Sequence, residues 1–182
     1  MPAVPGEEVL ISVDIEASGP SPGTGSLVSL GACLVERPDE AFYVEVRPIP
    51  GLPWDDATEQ IHGLSREHLS RAGTDPAAAM RSFADWIEGT RDGRRPVFAA
   101  FNAAFDWMFV ADYFHRFLGS NPFGISALDQ KAYFMAKHDV PVWSGTVKAA
   151  VRRHYPTAMP HTHHALDDAR EQAELMMRLL QR

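Results

Sequence analysis

Two acidic residues at the end of an apolar run constrain this chain more than any other feature. Asp14 and Glu16 close the segment Val9–Glu16, whose sequence is VLISVDIE. A β-strand points residues i and i+2 to the same face, so both carboxylates project together. Adjacent anions repel one another, and a divalent cation commonly stabilises such a pair. The alternative is a strand end with two solvated acids, and this segment alone leaves both interpretations open.

Length and charge limit the classes of protein to consider. With 182 residues the chain fits one domain, predicted over residues 1–182 with residues 1–7 as a flexible N-terminal tail. The net charge of −7 argues against a protein that holds long nucleic acid electrostatically. It remains compatible with a nuclease that handles a few terminal nucleotides, because bound divalent ions add positive charge where the phosphate lies.

The chain lacks signals for a membrane or for export. It contains no run of about 18 apolar residues, so we expect no membrane association. The first residues, MPAVPGEE, have neither a basic start nor an apolar core, and they do not predict secretion. Cys33 is the single cysteine and lies in an apolar run, which predicts a core position and a reducing compartment. We therefore expect a cytoplasmic protein.

Apolar periodicity predicts an α/β fold. The predicted strands are Glu8–Glu16, Ser26–Glu36, Ala41–Arg47, Pro96–Ala100 and Ser126–Leu128. The predicted helices are Ser65–Ala72, Pro76–Gly89, Ala103–Leu118, Asp129–His138, Thr146–Tyr155 and Ala165–Gln181, with Asp75 and Asn102 as N-caps of the second and third. Three consecutive strands predict an antiparallel meander, and the alternation that follows predicts a mixed sheet with flanking helices.

A third acid falls on the apolar face of a predicted helix. Asp106 shares its face with Phe109, Val110 and Tyr113 at spacings of three, four and seven residues. A carboxylate on such a face costs several kcal/mol unless it is paired or bound to a metal. In the alternative interpretation, Asp106 lies in the first turns only to complement the helix dipole.

The last cluster, HTHHALDDAR, begins at His161 and leads into the C-terminal helix. Thr162 is a candidate N-cap for that helix. Acids in a first turn are common, and loop histidines are usually solvated. A zinc site made from His161, His163 and His164 is conceivable, but the spacing matches no zinc signature and the chain has one cysteine.

Together, in this order, these clusters resemble the three motifs of the DEDDh 3′-to-5′ exonucleases. The matching segments are Asp14-Ile15-Glu16, FNAAFD from Phe101 to Asp106, and His163 to Asp168 within the run HHALDDA. The stretch Ile61-His62-Gly63-Leu64 is similar to one found in the proofreading branch of the family. The resemblance spans nearly the whole chain and implies a ribonuclease-H-like fold, with a mixed five-stranded sheet whose first three strands are antiparallel.

The resemblance also implies the residues of the site. Asp14, Glu16, Asp106 and Asp168 would bind two Mg²⁺ or Mn²⁺ ions, and His163 would be the general base. We expect that histidine to be mobile until substrate and metals bind. His164 falls on a variable position, and Asp167 points about 100° away from Asp168 around the helix, so both are excluded.

Substrate contacts are predicted around these acids. The candidates are Ser18, Gly19, Phe101, Asn102 and Phe105, the glycine for close backbone approach and the phenylalanines for stacking or for core packing. The family often has a large apolar wedge after its Thr-Gly or Ser-Gly pair, and here Pro20 stands in that place. Basic candidates for contacts with the nucleic-acid backbone are Arg66, Arg71, Lys148, Arg152 and Arg153.

The expected function is the removal of nucleoside 5′-monophosphates from the 3′ end of single-stranded or frayed DNA or RNA. Partners would be nucleic-acid 3′ ends held over a short footprint, with a polymerase or a second copy as further options. Two alternatives stay open: a non-catalytic nucleic-acid-binding or polymerase-associated module, and a metal phosphoesterase acting on small nucleotides.

Overall fold

A computed structural model of the protein describes residues 6–181, and a five-stranded mixed sheet is its centre. The strands are β1 (Glu8–Ala17), β2 (Leu27–Leu34), β3 (Ala41–Glu45), β4 (Arg95–Ala100) and β5 (Ala127–Asp129), in the spatial order β3-β2-β1-β4-β5. β1, β2 and β3 pair antiparallel, whereas β4 runs parallel to β1 and β5 parallel to β4. The predicted mixed sheet with three antiparallel strands is confirmed.

Helices flank the sheet. They are α1 (Asp56–His62), α2 (Arg66–Ala72), α3 (Pro76–Thr90), α4 (Ala103–Leu118), α5 (Gln130–Lys137), α6 (Lys148–His154) and α7 (Ala165–Leu180), with a 3₁₀ turn at Trp143–Thr146. The sequence pattern missed α1, because this seven-residue helix has no buried residue and therefore no apolar face to detect. Asp55 starts it by accepting a hydrogen bond from the Ala57 amide (2.9 Å).

The two faces of β1 pack against different helices. Ile11, Val13 and Ile15 are buried in the main core, which α3 and α4 complete. The residues between them face α7, where the Ser12 hydroxyl donates to the Ala169 carbonyl (2.8 Å). Asp14 and Glu16 lie on this second face, near the carboxyl end of the strand.

Gly31 allows α7 to approach the sheet closely. Gly31 pairs with Asp14 across β1 and β2. A Cβ atom at this position would lie 2.2 Å from the Leu166 amide nitrogen, well inside van der Waals contact. The first turn of α7 therefore rests directly on β2 beside Asp14, and this contact sets the position of Asp168, two residues after Leu166.

The N-terminal tail predicted for residues 1–7 falls mainly on residues 1–5, which lie outside the described residues. The Glu7 carbonyl accepts a hydrogen bond from the Arg95 amide (2.8 Å).

Cys33 is buried, as predicted, and burial raises the pKa of its thiol to about 12. Across residues 6–181, no helix combines the length and the apolarity that a bilayer span requires.

Candidate active site

A cleft of about 230 Å³ lies beyond the carboxyl ends of the parallel strands β1 and β4. This edge is where ligands commonly bind in α/β sheets. The lining residues are Asp14, Ile15, Glu16, Phe101, Asn102, Phe105, Asp106, Lys148, His161, His163 and Gln172. Segments that are distant in the sequence therefore meet at one place.

Three of the predicted carboxylates converge from two elements. Asp14 and Glu16 on β1 and Asp168 on α7 offer oxygen atoms that all lie within 4.8 Å of one another. Asp106, in the first turns of α4, lines the same cleft and accepts a hydrogen bond from the Ile15 amide (3.1 Å). This backbone contact explains how Asp106 tolerates a buried position on the apolar face of its helix.

Asp168 is held from several sides. It is fully buried, and its two oxygens accept hydrogen bonds from the backbone amides of Thr162 and His163, both at 2.8 Å. Thr162 was predicted to cap α7, and this prediction is wrong: the N-cap position belongs to His164, which has no side-chain capping bond. The loop before α7 instead folds back over Asp168, with His163 in the left-handed region at φ 57°.

The acids of the cleft hold their protons more strongly than usual. Burial, followed by repulsion from Asp168 and Asp106, raises the pKa of Glu16 to about 8. The pKa of Asp14 is raised well above its ordinary value by burial and then by Asp106 and Glu16. Burial also raises the pKa of Asp106 to about 7, although the Ile15 amide opposes the shift.

These shifts and the donor set fit a divalent cation. Several carboxylates that face one another in a partly desolvated cleft are stable when charged only if a positive ion lies among them. Carboxylate oxygens are the donors that Mg²⁺ and Mn²⁺ prefer. Asp14, Glu16 and Asp168 are therefore a candidate metal site, with Asp106 at its border.

The three histidines of the last motif occupy different environments. His163 is exposed and lines the cleft, with its ring 4.4 Å from that of His161. His161 Nδ1 lies 2.8 Å from Asp168 Oδ2. His164 stacks on Tyr43 and pairs with Asp167, and neither His164 nor Asp167 is among the residues that line the cleft.

The histidines also bear on the zinc alternative. His161, His163 and Asp168 offer donor atoms within 4.8 Å of one another, and His164 is not part of this group. The three-histidine set considered from the sequence is therefore not the set that the fold brings together. The observed group shares Asp168 with the carboxylate site.

Gln172 is a cleft residue that the sequence analysis missed. It is buried, its amide nitrogen donates to Asp14 Oδ1 (2.5 Å), and its amide oxygen accepts from the Phe101 backbone amide (2.8 Å). It therefore ties the acid of β1 to the end of β4. Its position four residues after Asp168 on one helix, hence on the same face, was the available signal.

Lys148 enters the cleft from α6. It donates to Glu171 (3.1 Å), which is fully buried, and its ammonium lies 5.3 Å from the centroid of the Phe101 ring. From the sequence, Lys148 was predicted only as one of several basic residues that could contact the nucleic-acid backbone. Nothing local in the sequence indicates that Glu171 orients it, because the pair joins two separate helices.

Phe101, Asn102 and Phe105, the predicted substrate residues of the second motif, all line the cleft. Asn102 occupies the N-cap position of α4, but its side chain makes no capping bond. The first amide of α4, that of Ala103, donates to Asp129 (2.7 Å), which also caps α5 through Ala132 (2.9 Å). The Asn102 side chain is thereby left to accept a hydrogen bond from Lys131 (3.3 Å).

Ser18 and Gly19 stand apart from this cleft. The Ser18 side chain is buried and accepts a hydrogen bond from the Ser26 amide (2.8 Å), so its hydroxyl belongs to the turn. Gly19 lines a neighbouring groove that begins at Glu16 and Phe105. A Cβ atom on Gly19 would lie 2.7 Å from the Thr24 carbonyl oxygen, so the close approach that requires glycine is to the chain's own backbone.

Comparisons with known proteins agree with this geometry. The exonuclease family model matches residues 11–176. The 3′-5′ DNA exonuclease Cap18 of Escherichia coli is 42% identical over 171 residues, which cover 93% of this chain and 90% of that protein.

Two solved structures share the fold at 15% identity each. The nuclease domain of 3′hExo, a DEDDh family member bound to rAMP, superposes with a TM-score of 0.76 over 98% of this chain and 94% of its own. The zinc-bound complex of E. coli ExoI with single-stranded DNA superposes with a TM-score of 0.66 over 96% of this chain and 40% of its own. By its sequence relatives, the chain belongs to the 3′-to-5′ exonuclease family and is a hydrolase of phosphodiester bonds, and it shares its fold with a DEDDh family member.

Proposed function

We propose that the protein removes nucleoside 5′-monophosphates from the 3′ end of single-stranded or frayed DNA by a metal-dependent reaction. The observation that carries the proposal is the convergence of Asp14 and Glu16, which line the cleft, with the buried Asp168, beside an exposed imidazole. The DNA preference follows the similarity to Cap18, a DNA exonuclease. RNA stays a second candidate substrate, and the assay below includes it.

Two Mg²⁺ or Mn²⁺ ions are proposed as cofactors. Asp14, Glu16 and Asp168 would hold one ion, and Asp14 would share the second with Asp106. When bound, such ions lower the pKa of water and stabilise charge on phosphate and leaving-group oxygens. Gln172 keeps Asp14 in place, and the Thr162 and His163 amides fix Asp168, so the carboxylates are oriented before any ion arrives.

His163 is proposed as the general base. Imidazole is the side chain best suited to accept a proton from water near neutral pH. The His163 backbone donates a hydrogen bond to Asp168, while its exposed ring lines the cleft. His161 is less suited because its Nδ1 is already within 2.8 Å of Asp168 and 3.4 Å of the Lys148 ammonium.

Other cleft residues support substrate binding. The half-exposed faces of Phe101 and Phe105 border the space where a terminal nucleotide would lie, and stacking on a phenyl ring accepts any base. Lys148, held by buried Glu171, puts an ammonium at the cleft for contact with a phosphate oxygen. Gly19 is proposed to contact the substrate through its backbone in the neighbouring groove.

An end-label experiment tests the proposal. Oligonucleotides of DNA and RNA, labelled at the 5′ end, are incubated with Mg²⁺, Mn²⁺ or EDTA. We expect a ladder that shortens from the 3′ end, requires the metal and releases 5′-monophosphates. Binding without cleavage would support a non-catalytic module, and hydrolysis of mononucleotide esters alone would support a small-nucleotide phosphoesterase. An Asp14→Asn variant is the control for a contaminating nuclease.

A further inference from the structure

An exposed tryptophan lies just outside the proposed active site. Trp143, in the 3₁₀ turn before α6, is 48% exposed, and Val142 and Val147 beside it are more than half exposed. Large aromatic residues usually bury their surface, so an exposed one in a folded turn indicates a surface that another molecule covers. The side chain of one lysine, Lys131, lies over its ring.

That lysine connects the tryptophan to the cleft. The Lys131 ammonium lies 4.3 Å from the centroid of the Trp143 ring and donates to Asn102 Oδ1 at 3.3 Å. Asn102 lines the cleft next to Phe101. The ammonium of a second lysine, Lys148, lies 5.3 Å from the centroid of the Phe101 ring. Two pairs of lysine and aromatic ring are therefore linked through Asn102, one in the cleft and one on its rim. We call Lys131 and Trp143 the rim platform.

We propose that the rim platform binds the single strand upstream of the nucleotide being removed. This inference rests on the proposed exonuclease function, because the strand reaches the platform from the cleft. Trp143 provides a face on which a base stacks without regard to its identity. Lys131 provides a cation for the neighbouring phosphate, and it already holds a polar contact at the cleft edge.

Charge favours a nucleic-acid strand over a protein as the occupant. The chain carries a net charge of −7, yet both lysines stand beside aromatic rings along one path from the cleft. A polyanion with flat apolar bases is complementary to such a path, whereas an apolar protein surface would leave the Lys131 ammonium desolvated. The competing occupant is a second copy of the chain, and the experiment below distinguishes it from a nucleic-acid strand.

Substrate length provides the test. Values of kcat/KM are measured with Mg²⁺ for a DNA dinucleotide and for a 20-mer that ends in the same dinucleotide. Trp143→Ala is expected to lower kcat/KM for the 20-mer about tenfold, within the roughly 5- to 150-fold range for loss of one stacked base. Cleavage of the dinucleotide should stay within about twofold, because it does not reach the platform.

Two further variants sharpen the result. Trp143→Phe should retain most of the 20-mer activity, since a phenyl ring still stacks. Ile125→Ala is the matched control, because Ile125 is a large, highly exposed apolar residue in the turn before β5 and outside the cleft lining. An equal fall on both substrates, or no fall on either, would overturn the proposal. So would a wild-type dimer that Trp143→Ala dissociates without changing cleavage of the 20-mer.

A binding measurement keeps this inference separate from the catalytic one. In EDTA, titration with a dT10 oligomer should quench tryptophan emission, and Trp143→Phe should abolish most of the quenching. If dT10 quenched the emission of the wild-type protein but neither substrate were cleaved, the proposed function would be contradicted and the rim platform would still be supported. If quenching persisted in Trp143→Phe, the rim platform would be contradicted even for an active nuclease.

Discussion

Acidic residues near the two ends of strand β1 have opposite electrostatic surroundings. Near its start, Glu36 accepts two hydrogen bonds from Arg94 (2.6 and 3.0 Å), and this contact lowers the pKa of the carboxyl group. Near its carboxyl end, Asp14 and Glu16 face other acids, and their pKa values are raised. The same residue types therefore form ion pairs at one edge of the sheet and repel one another at the other.

This contrast separates an acid whose charge is paired within the protein from acids that face other acids. Glu36 and Arg94 neutralise each other on the surface, where such a pair contributes little. The carboxylates of the cleft are desolvated, and the positive charge of Lys148 does not offset their burial and repulsion. A group of acids kept in this unfavourable arrangement is typical of a functional site.

The largest expected effect comes from Asp14→Asn. Removing this charge should lower kcat by about 1000-fold or more, because the site loses the carboxylate that both ions would share. The fold should persist, and Tm in EDTA at pH 8 should rise, since repulsion with Glu16 and Asp106 is relieved. Asp167→Asn, on the exposed side of α7, is the matched control and should keep near wild-type activity. Full activity of Asp14→Asn would contradict the proposed site.

His163→Ala should reduce kcat by about 100- to 10,000-fold, the usual contribution of a general base. Binding of Mn²⁺, measured as the rise in Tm that the ion produces, should be retained, because the carboxylates are intact. His164→Ala, whose ring stacks on Tyr43, is the control and should be close to wild type. A dead His164→Ala with an active His163→Ala would show that the last motif has been assigned in the wrong register.

Gln172→Glu should lower activity by about 10- to 100-fold, as expected for a group that orients a metal ligand. The variant keeps an acceptor for the Phe101 amide, yet it replaces the donor to Asp14 with another negative charge. The acidic limb of the pH–rate profile should therefore move to higher pH. A purely structural role would leave that limb unchanged, as we expect for Arg178→Gln on an exposed part of α7.

The stability of the metal-free protein should fall as pH rises from about 5 to about 8. Burial and repulsion raise the pKa of Glu16 from 4.5 to about 8 and that of Asp106 from 3.8 to about 7. In this window the folded state binds more protons than the unfolded state, so increasing pH favours unfolding. In EDTA, Tm should drop by at least about 3 °C, and Mg²⁺ should raise Tm more at pH 8 than at pH 6. A Tm that rises over this range would contradict the repulsion.

Glu36→Gln should have the smallest effect. The Arg94 pair is partly solvated, so its loss should change the free energy of unfolding by less than about 1 kcal/mol. Exonuclease activity should be unchanged, as should the dependence of Tm on pH between 5 and 8. Urea denaturation measures the first effect and the end-label assay the second. A large loss of activity would mean that the two edges of the sheet are coupled.

The fold was largely predictable because its signals are local. Alternating apolar residues predict β1 and the antiparallel meander, and Asp75-Pro76 starts α3 where the sequence indicated. Asp14, Glu16 and Asp106 were found because their spacing on one strand or one helix is also local, whereas Asp168 was assigned from the resemblance to the exonuclease motifs. Helix caps were less predictable: Asn102 and Thr162 have suitable side chains, but Asn102 makes no capping bond and the N-cap position of α7 falls on His164. The first amide of α4 donates instead to Asp129, 26 positions away.

Sequence alone predicted the architecture, and strand and helix periods indicated which faces carry Asp14, Glu16 and Asp106. The resemblance to the exonuclease motifs added Asp168. Tertiary structure decided what surrounds them. Gly31 lets α7 rest on the sheet, Gln172 reaches Asp14, and Glu171 orients Lys148. These contacts join residues that are up to 158 positions apart, and no local pattern encodes which partners such a separation will bring together.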